Sequence, residues 1–281
     1  MNKYFSFLFV IMINSAIAHN ITTTEYELIF KRFSGCFILF DLNRNKIVSM
    51  YNPHNNCNQQ IAANSTFKIP LSLMAFNERI INPNSLFKWH GEQGVLPEHE
   101  RDQTPYSWLK YSVVWVSQQL TPKIGEKRIK YYLADFKYGN QDFRGDPGQK
   151  NGLTHAWLAS SLKISPMEQL YFLNAMLKHK LSVSDDAIKF TEANMYLDKL
   201  PNGAKLYGKT GSGRHGRNER MKNPSTLRDG WFVGFIKQNK QSYIYVSDLT
   251  DKVPPISSDK AYGGQLIKPI TLQLLNDFFG K

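Results

Sequence analysis

The sequence predicts an α+β fold, an antiparallel sheet flanked by terminal helices, with an all-helical lobe inserted into it. Strand-like runs lie near the start, over residues 35–51, and return near the end, over 205–247. The stretch between them has helical patterning with little strand signal. A closing amphipathic segment from Gln265 to Phe279 supplies a C-terminal helix, with Pro269 in its first turns. We therefore expect a single catalytic domain over 19–281. Its α/β lobe comes from 19–64 and 201–281, and its helical lobe from 65–200. A cleft between two such lobes is a common place for a site.

The first eighteen residues are expected to be a leader rather than fold. Met1-Asn2-Lys3 is a basic start, Tyr4 to Ile13 an apolar run, and Ala16-Ile17-Ala18 a small-x-small cleavage site. The apolar run is shorter than the ~20 residues a bilayer span needs. The expected product is exported to the periplasm or secreted, without stable membrane insertion.

Thr22 to Phe33, with a threonine cap and early acids, reads as a short amphipathic helix. Gly35 to Asp41 is an apolar strand, Asn43-Arg44-Asn45 a turn, and Lys46 to Tyr51 the returning strand. Asn52 to Asn58 reads as loop. Cys36 and Cys57 flank this hairpin; export permits a disulfide, and two buried thiols are the other reading. A helix starts near Ser65, with Phe67, Leu71 and Met74 apolar. Lys127 to Phe136 is helical and runs into Tyr138-Gly139-Asn140, which looks like a C-terminal cap. Ser165-Pro166-Met167-Glu168 is a capping box with proline at the first helical position. Residues 205–211, 230–237 and 241–247 are three strands, the last two joined by a tight polar turn.

The net charge is +12, with basic residues scattered among aromatics and acids. The one cluster runs from Arg214 to Lys222. This pattern favours attraction of anionic ligands over a nucleic-acid footprint, which needs a basic stripe. The seven histidines include no pair two or four apart, so no metal site is expected.

On a helix, Ser65 and Lys68 share a face one turn apart. A serine hydroxyl needs an adjacent base, which a lysine of lowered pKa supplies, and a helix N-terminus offers free N–H groups to an oxyanion. Alone the pattern is weak: Ser-x-x-Lys recurs at Ser85/Lys88, Ser107/Lys110, Ser160/Lys163 and Ser257/Lys260. What distinguishes Ser65 is the ordered set that follows, Ser112-Val113-Val114, Tyr138-Gly139-Asn140 and Lys209-Thr210-Gly211.

This set resembles the class D serine β-lactamases, the oxacillinases of the penicillin-recognising serine acyltransferases. The strings Ser-Thr-Phe-Lys-Ile at 65–69, Ser-Val-Val-Trp-Val-Ser-Gln at 112–118 and Ala-Trp-Leu-Ala-Ser-Ser-Leu-Lys-Ile-Ser-Pro at 156–166 extend it over nearly the whole mature chain. The resemblance implies hydrolysis of β-lactams through an acyl-enzyme at Ser65. Lys68 is the implied base, carboxylated by carbon dioxide, with no other cofactor. Phe67, Val114, Trp157 and Leu158 wall the implied carbamate pocket, and the Trp157 indole donates to it. Transpeptidases and class A enzymes carry asparagine where Val114 stands. Ser112, paired with Lys209, is the implied proton relay to the leaving nitrogen. Thr210, Gly211 and Ser212 bind substrate, and the backbone N–H groups of Ser65 and Ser212 form the oxyanion hole. Tyr138-Gly139-Asn140 is expected to be structural.

One departure stands out. Many oxacillinases hold the substrate carboxylate with an arginine near the last strand-to-helix segment, whereas Tyr262 to Lys268 contains none. Lys268 is expected to face away, leaving the carboxylate to Lys209, Thr210 and Ser212. The alternative function is a penicillin-binding or β-lactam-sensing protein acylated at Ser65 but slow to release. A basic, non-enzymatic binding module is a third. The assembly is expected to be a monomer or homodimer.

Overall fold

The computed structural model describes residues 21–215 and 227–279. The leader and residues 216–222 of the basic cluster lie outside the described residues. Helix α1 (Thr23–Ile29) opens with a Thr22–Glu25 capping box. It stops short of the expected Phe33, because β1 (Phe33–Asp41) already begins there and pairs in full register with a later strand. β1 turns into β2 (Lys46–Tyr51) as an antiparallel hairpin, as the Asn43-Arg44-Asn45 turn between two strand-like runs predicted. The expected loop at 52–58 is a pair of 3-10 turns across Pro53–Asn58, kinked at left-handed His54 and Asn55. Its Cys57 is disulfide-bonded to Cys36 of β1.

The short strand β3 (Ile61–Ala62) leads to a 3-10 turn, Asn64–Phe67, and then to α2 (Lys68–Asn77). Helices α3 (Pro105–Tyr111), α4 (Val114–Ile124), α5 (Glu126–Asp135) and α6 (Gly152–His155) follow. β4 (Lys163–Ile164) pairs with β3. The Ser165 capping box opens α7 (Pro166–Leu177), and Ser184 caps α8 (Asp185–Asn194).

β5 (Tyr196–Lys199) is an edge strand of the main sheet, although it falls in the stretch expected to be helical. Four residues at a sheet edge, half of them exposed, are too few to show alternation. β6 (Lys205–Arg214), β7 (Arg228–Gln238) and β8 (Gln241–Asp251) complete the sheet, and α9 (Gly263–Phe279) closes the chain. The order is β2-β1-β8-β7-β6-β5, antiparallel throughout.

Two cores lie on opposite faces of this sheet. Phe37, Leu39, Phe232 and Tyr245 pack with residues of α1 and α9, while Ile38, Val233 and Val246 join the core that runs through the helices. A strand with both faces covered reads as a continuous apolar run, which is why Cys36 to Phe40 shows no alternation.

One motif is placed differently from its expectation. The left-handed cap of α5 is Lys137, with φ 49°, rather than the Gly-Asn pair. Lys137 and Tyr138 donate their N–H groups to Ala134 and Leu133. Gly139 and Asn140 instead hold β4. Asn140 exchanges hydrogen bonds with Lys163 on backbone and side chain, and a Cβ on Gly139 would fall 1.9 Å from the Lys163 carbonyl oxygen.

Candidate active site

Ser65 stands in the 3-10 turn ahead of α2, and the chain enters that turn under constraint. Asn64 is left-handed (φ 47°) and buried. Its Nδ2 donates to the Ala62 carbonyl at 3.1 Å, and its Oδ1 accepts from the Ala159 N–H at 3.1 Å. Asn64 also presses on β6, where a Cβ at Gly213 would lie 2.4 Å from its Oδ1. A Cβ at Gly211 would lie 3.3 Å from Thr66 Cγ2. The Lys209-Thr210-Gly211 strand thus runs alongside the serine turn. Asn64 was not predicted as a site residue; an asparagine before a candidate nucleophile, tolerant of the left-handed region, is the signal that could have found it.

Lys68 Nζ lies 3.3 Å from Ser65 Oγ. The lysine is fully buried, and burial alone brings its pKa down to about 7. An amine with that pKa has a substantial neutral fraction near physiological pH and in that form can accept a proton. Lys209 is buried too, and its Nζ donates to the Thr210 carbonyl at 2.8 Å. Its pKa is pushed well down by burial first, then by the charges of Lys68 and Lys268. Lys268 Nζ sits 5.9 Å from the centre of the Phe232 ring, in the core on the α9 face of the sheet, and is near enough to act on Lys209 through its charge. Neither Lys68 nor Lys209 has an ion-pair partner among the described residues. An anion arriving beside them would favour their protonated forms.

Phe67 and Trp157 are fully buried and stacked, centroids 5.2 Å apart, with Phe143 against both. Phe143 completes this aromatic wall and was not predicted. Val114 and Leu158 are half-buried. The Trp157 indole N–H is buried with no acceptor. An unpaired buried donor is costly unless something accepts from it.

Ser112 ends α3 in the left-handed conformation (φ 63°), and Val113-Val114 lead into α4. Its hydroxyl makes no hydrogen bond to Lys68 or Lys209 among the described residues. Ser212 Oγ accepts from the Gly264 N–H at 2.9 Å, which commits that lone pair to the start of α9. A broad groove lined by Asn140, Arg144, Ser160, Lys163 and His215 is separate from the chemistry, since neither Ser65 nor Lys68 lines it.

Comparison with known proteins gives a consistent result. Residues 35–276 match the penicillin-binding protein transpeptidase domain. The chain is 46% identical to the β-lactamase OXA-1 of Escherichia coli over 241 residues, 85% of this chain and 84% of that one. It is 39% identical to the β-lactamase OXA-9 of Klebsiella pneumoniae over 197 residues, 67% and 70% of the two chains. Among solved structures, the class D β-lactamase OXA-427 superposes with a TM-score of 0.73 at 32% identity, covering 87% of this chain and all of that one. The chain belongs to the class D β-lactamases, within the penicillin-binding transpeptidase domain family.

Proposed function

We propose that this protein hydrolyses β-lactam antibiotics through an acyl-enzyme on Ser65 and so confers resistance to them. One observation carries the reading: a serine hydroxyl 3.3 Å from a sealed lysine whose burial lowers its pKa to about 7. The β-lactamases it resembles supply the substrate class.

The neutral Lys68 amine takes the proton from Ser65 Oγ, and the oxygen attacks the lactam carbonyl. The Ser65 N–H, in the first turn before α2, and the Ser212 N–H on β6 stabilise the oxyanion. The lactam C–N bond then breaks, and Ser112, with Lys209 beside it, delivers a proton to the leaving nitrogen. The proton taken from Ser65 leaves Lys68 to restore the relay, so both lysines end the step as they began. Water then bonds to the carbonyl carbon as it gives a proton to Lys68; the acyl–Oγ bond breaks, and Lys68 returns that proton to Ser65 Oγ. Lys209 and Thr210, on the strand that runs beside the serine turn, are suited to hold a substrate carboxylate.

The pocket fits a carbamate on Lys68. The amine is neutral enough to react with carbon dioxide, the walls Phe67, Val114, Trp157 and Leu158 are apolar, and the unpaired Trp157 N–H has an oxygen to find. When formed, that group would supply an anionic oxygen base next to Ser65. We take the chain to be exported by its leader to the periplasm or medium, and to act as a monomer or homodimer. No helix among the described residues is long and apolar enough to cross a membrane.

A second reading has one specific observation behind it. The C-terminal domain of the Bacillus licheniformis BlaR penicillin-receptor superposes with a TM-score of 0.75 at 29% identity, covering 89% of this chain and 93% of that one. On this reading the acyl group formed on Ser65 is released slowly. Turnover decides between them. With a penicillin in excess, the hydrolase consumes many equivalents and Ser65→Ala consumes none; a single equivalent followed by arrest overturns the hydrolase reading.

A further inference from the structure

Ser112 occupies a backbone position that glycine usually takes. The end of α3 is a left-handed helix cap, with the Ser112 N–H bonded to the Leu109 carbonyl (3.2 Å) and the Val113 N–H to Trp108 (3.1 Å). Such a cap leaves the carbonyl of the preceding residue, Tyr111, without a backbone partner. His99 fills that gap. Its Nε2 lies 2.8 Å from the Tyr111 oxygen, its Nδ1 lies 3.3 Å from the Val95 nitrogen, and its own carbonyl accepts from the Trp115 indole at 2.9 Å.

These partners fix the ring's chemistry. A carbonyl only accepts, so Nε2 carries the proton; a backbone N–H only donates, so Nδ1 is bare. The bonds also straddle the serine. The ring holds the residue just before Ser112, and the His99 carbonyl holds Trp115 in the first turn of α4. His99 is buried, and a Cβ at Gly94 would come within 2.4 Å of its Cβ, so Gly94 packs directly over it.

We propose that His99 is a positioning residue for acylation: it clamps the turn that presents Ser112 and couples it to the Gly94–Leu96 segment. That segment exposes Val95 and Leu96, two apolar side chains within a few residues of the clamp. The inference rests on the proton-relay reading of Ser112, and the experiment separates the two.

A glutamine amide nitrogen reaches the position of Nε2, whereas an asparagine amide reaches only that of Nδ1. Acylation and deacylation are timed separately by intact mass after mixing with a penicillin, for Ser112→Ala, His99→Asn, His99→Gln and Trp115→Phe. The clamp predicts that His99→Asn slows acylation about tenfold, that His99→Gln restores most of it, and that deacylation stays unchanged. Trp115→Phe, which keeps the ring and removes the donor, slows acylation in the same way and carries the test if His99→Asn does not fold. If Ser112→Ala slows acylation while His99→Asn and His99→Gln behave alike, or slow both steps equally, the clamp is overturned and the relay stands. If Ser112→Ala acylates at the normal rate, the relay reading fails and the clamp with it.

Discussion

Asn64 and Ala159, both left-handed and far apart in sequence, are joined by a hydrogen bond from the Ala159 N–H to Asn64 Oδ1 at 3.1 Å. It ties the turn carrying Ser65 to the loop carrying Trp157 and Leu158, so the nucleophile and the lysine pocket are set by one contact. Replacing Asn64 separates its two contributions. Asn64→Gly keeps the backbone but loses both side-chain bonds, at a cost of about 1–3 kcal/mol. Asn64→Ala also places a Cβ in the left-handed region, adding roughly 1 kcal/mol. Urea midpoints should fall in the order wild type, Gly, Ala; equal values for the two variants contradict the backbone argument.

The unpaired Trp157 N–H makes a separate prediction. Trp157→Phe keeps an aromatic ring against Phe67 but removes the donor. If that donor holds a carbamate on Lys68, the variant loses about 10–100-fold in turnover in bicarbonate-free buffer, the worth of one hydrogen bond to a charged group. Added bicarbonate recovers part of the loss by mass action. A variant as active as the parent at every bicarbonate concentration removes the indole from the account.

Lys68 trades stability for function. Its folded pKa, about 7, lies below the ~10.4 of a lysine in the unfolded chain. The unfolded state therefore binds more protons between these values, and the destabilisation grows as pH falls through that window, reaching its full extent near pH 7. Lys68→Met should abolish turnover yet raise Tm by roughly 2–8 °C at neutral pH without bicarbonate, a gain that fades towards pH 10. In the parent, kcat/KM should decline below about pH 7, where the amine becomes protonated. A Tm that is unchanged or lower in Lys68→Met contradicts the buried-amine argument.

The Cys36–Cys57 bridge ties the hairpin strand β1 to the turn preceding β3 and the serine. Closing a loop of sequence separation 21 is worth roughly 3 kcal/mol through the unfolded state. The double variant Cys36→Ser/Cys57→Ser should unfold at lower denaturant by that amount while retaining turnover in the cold. Equal stability for both proteins would show that the bridge closes nothing the fold does not already hold.

The legible parts of the molecule were those written in local pattern. Lys46–Tyr51, a short run of β-formers just after the Asn43-Arg44-Asn45 turn, is a strand; Ser165 and Glu168 spell a capping box and form one. Ser65, Lys68 and Lys209 stood out because short motifs recurred in a familiar order. Helix ends were harder, since α2, α3, α5 and α7 are followed by left-handed Arg79, Ser112, Lys137 and His179, where a glycine would have announced the stop. β4 and β5 were hidden by their shortness. Phe143, Asn64 and His99 act through partners far away in sequence or through backbone atoms, which no spacing rule reaches.

The most direct measurement is intact mass of the protein after mixing with a limiting penicillin, sampled from milliseconds to minutes, for the parent and for Ser65→Ala. The account predicts one adduct of substrate mass on the parent that forms and then disappears as free product accumulates, and none on Ser65→Ala. A parent that never gains the mass, or an adduct that still forms when Ser65 is replaced, contradicts it.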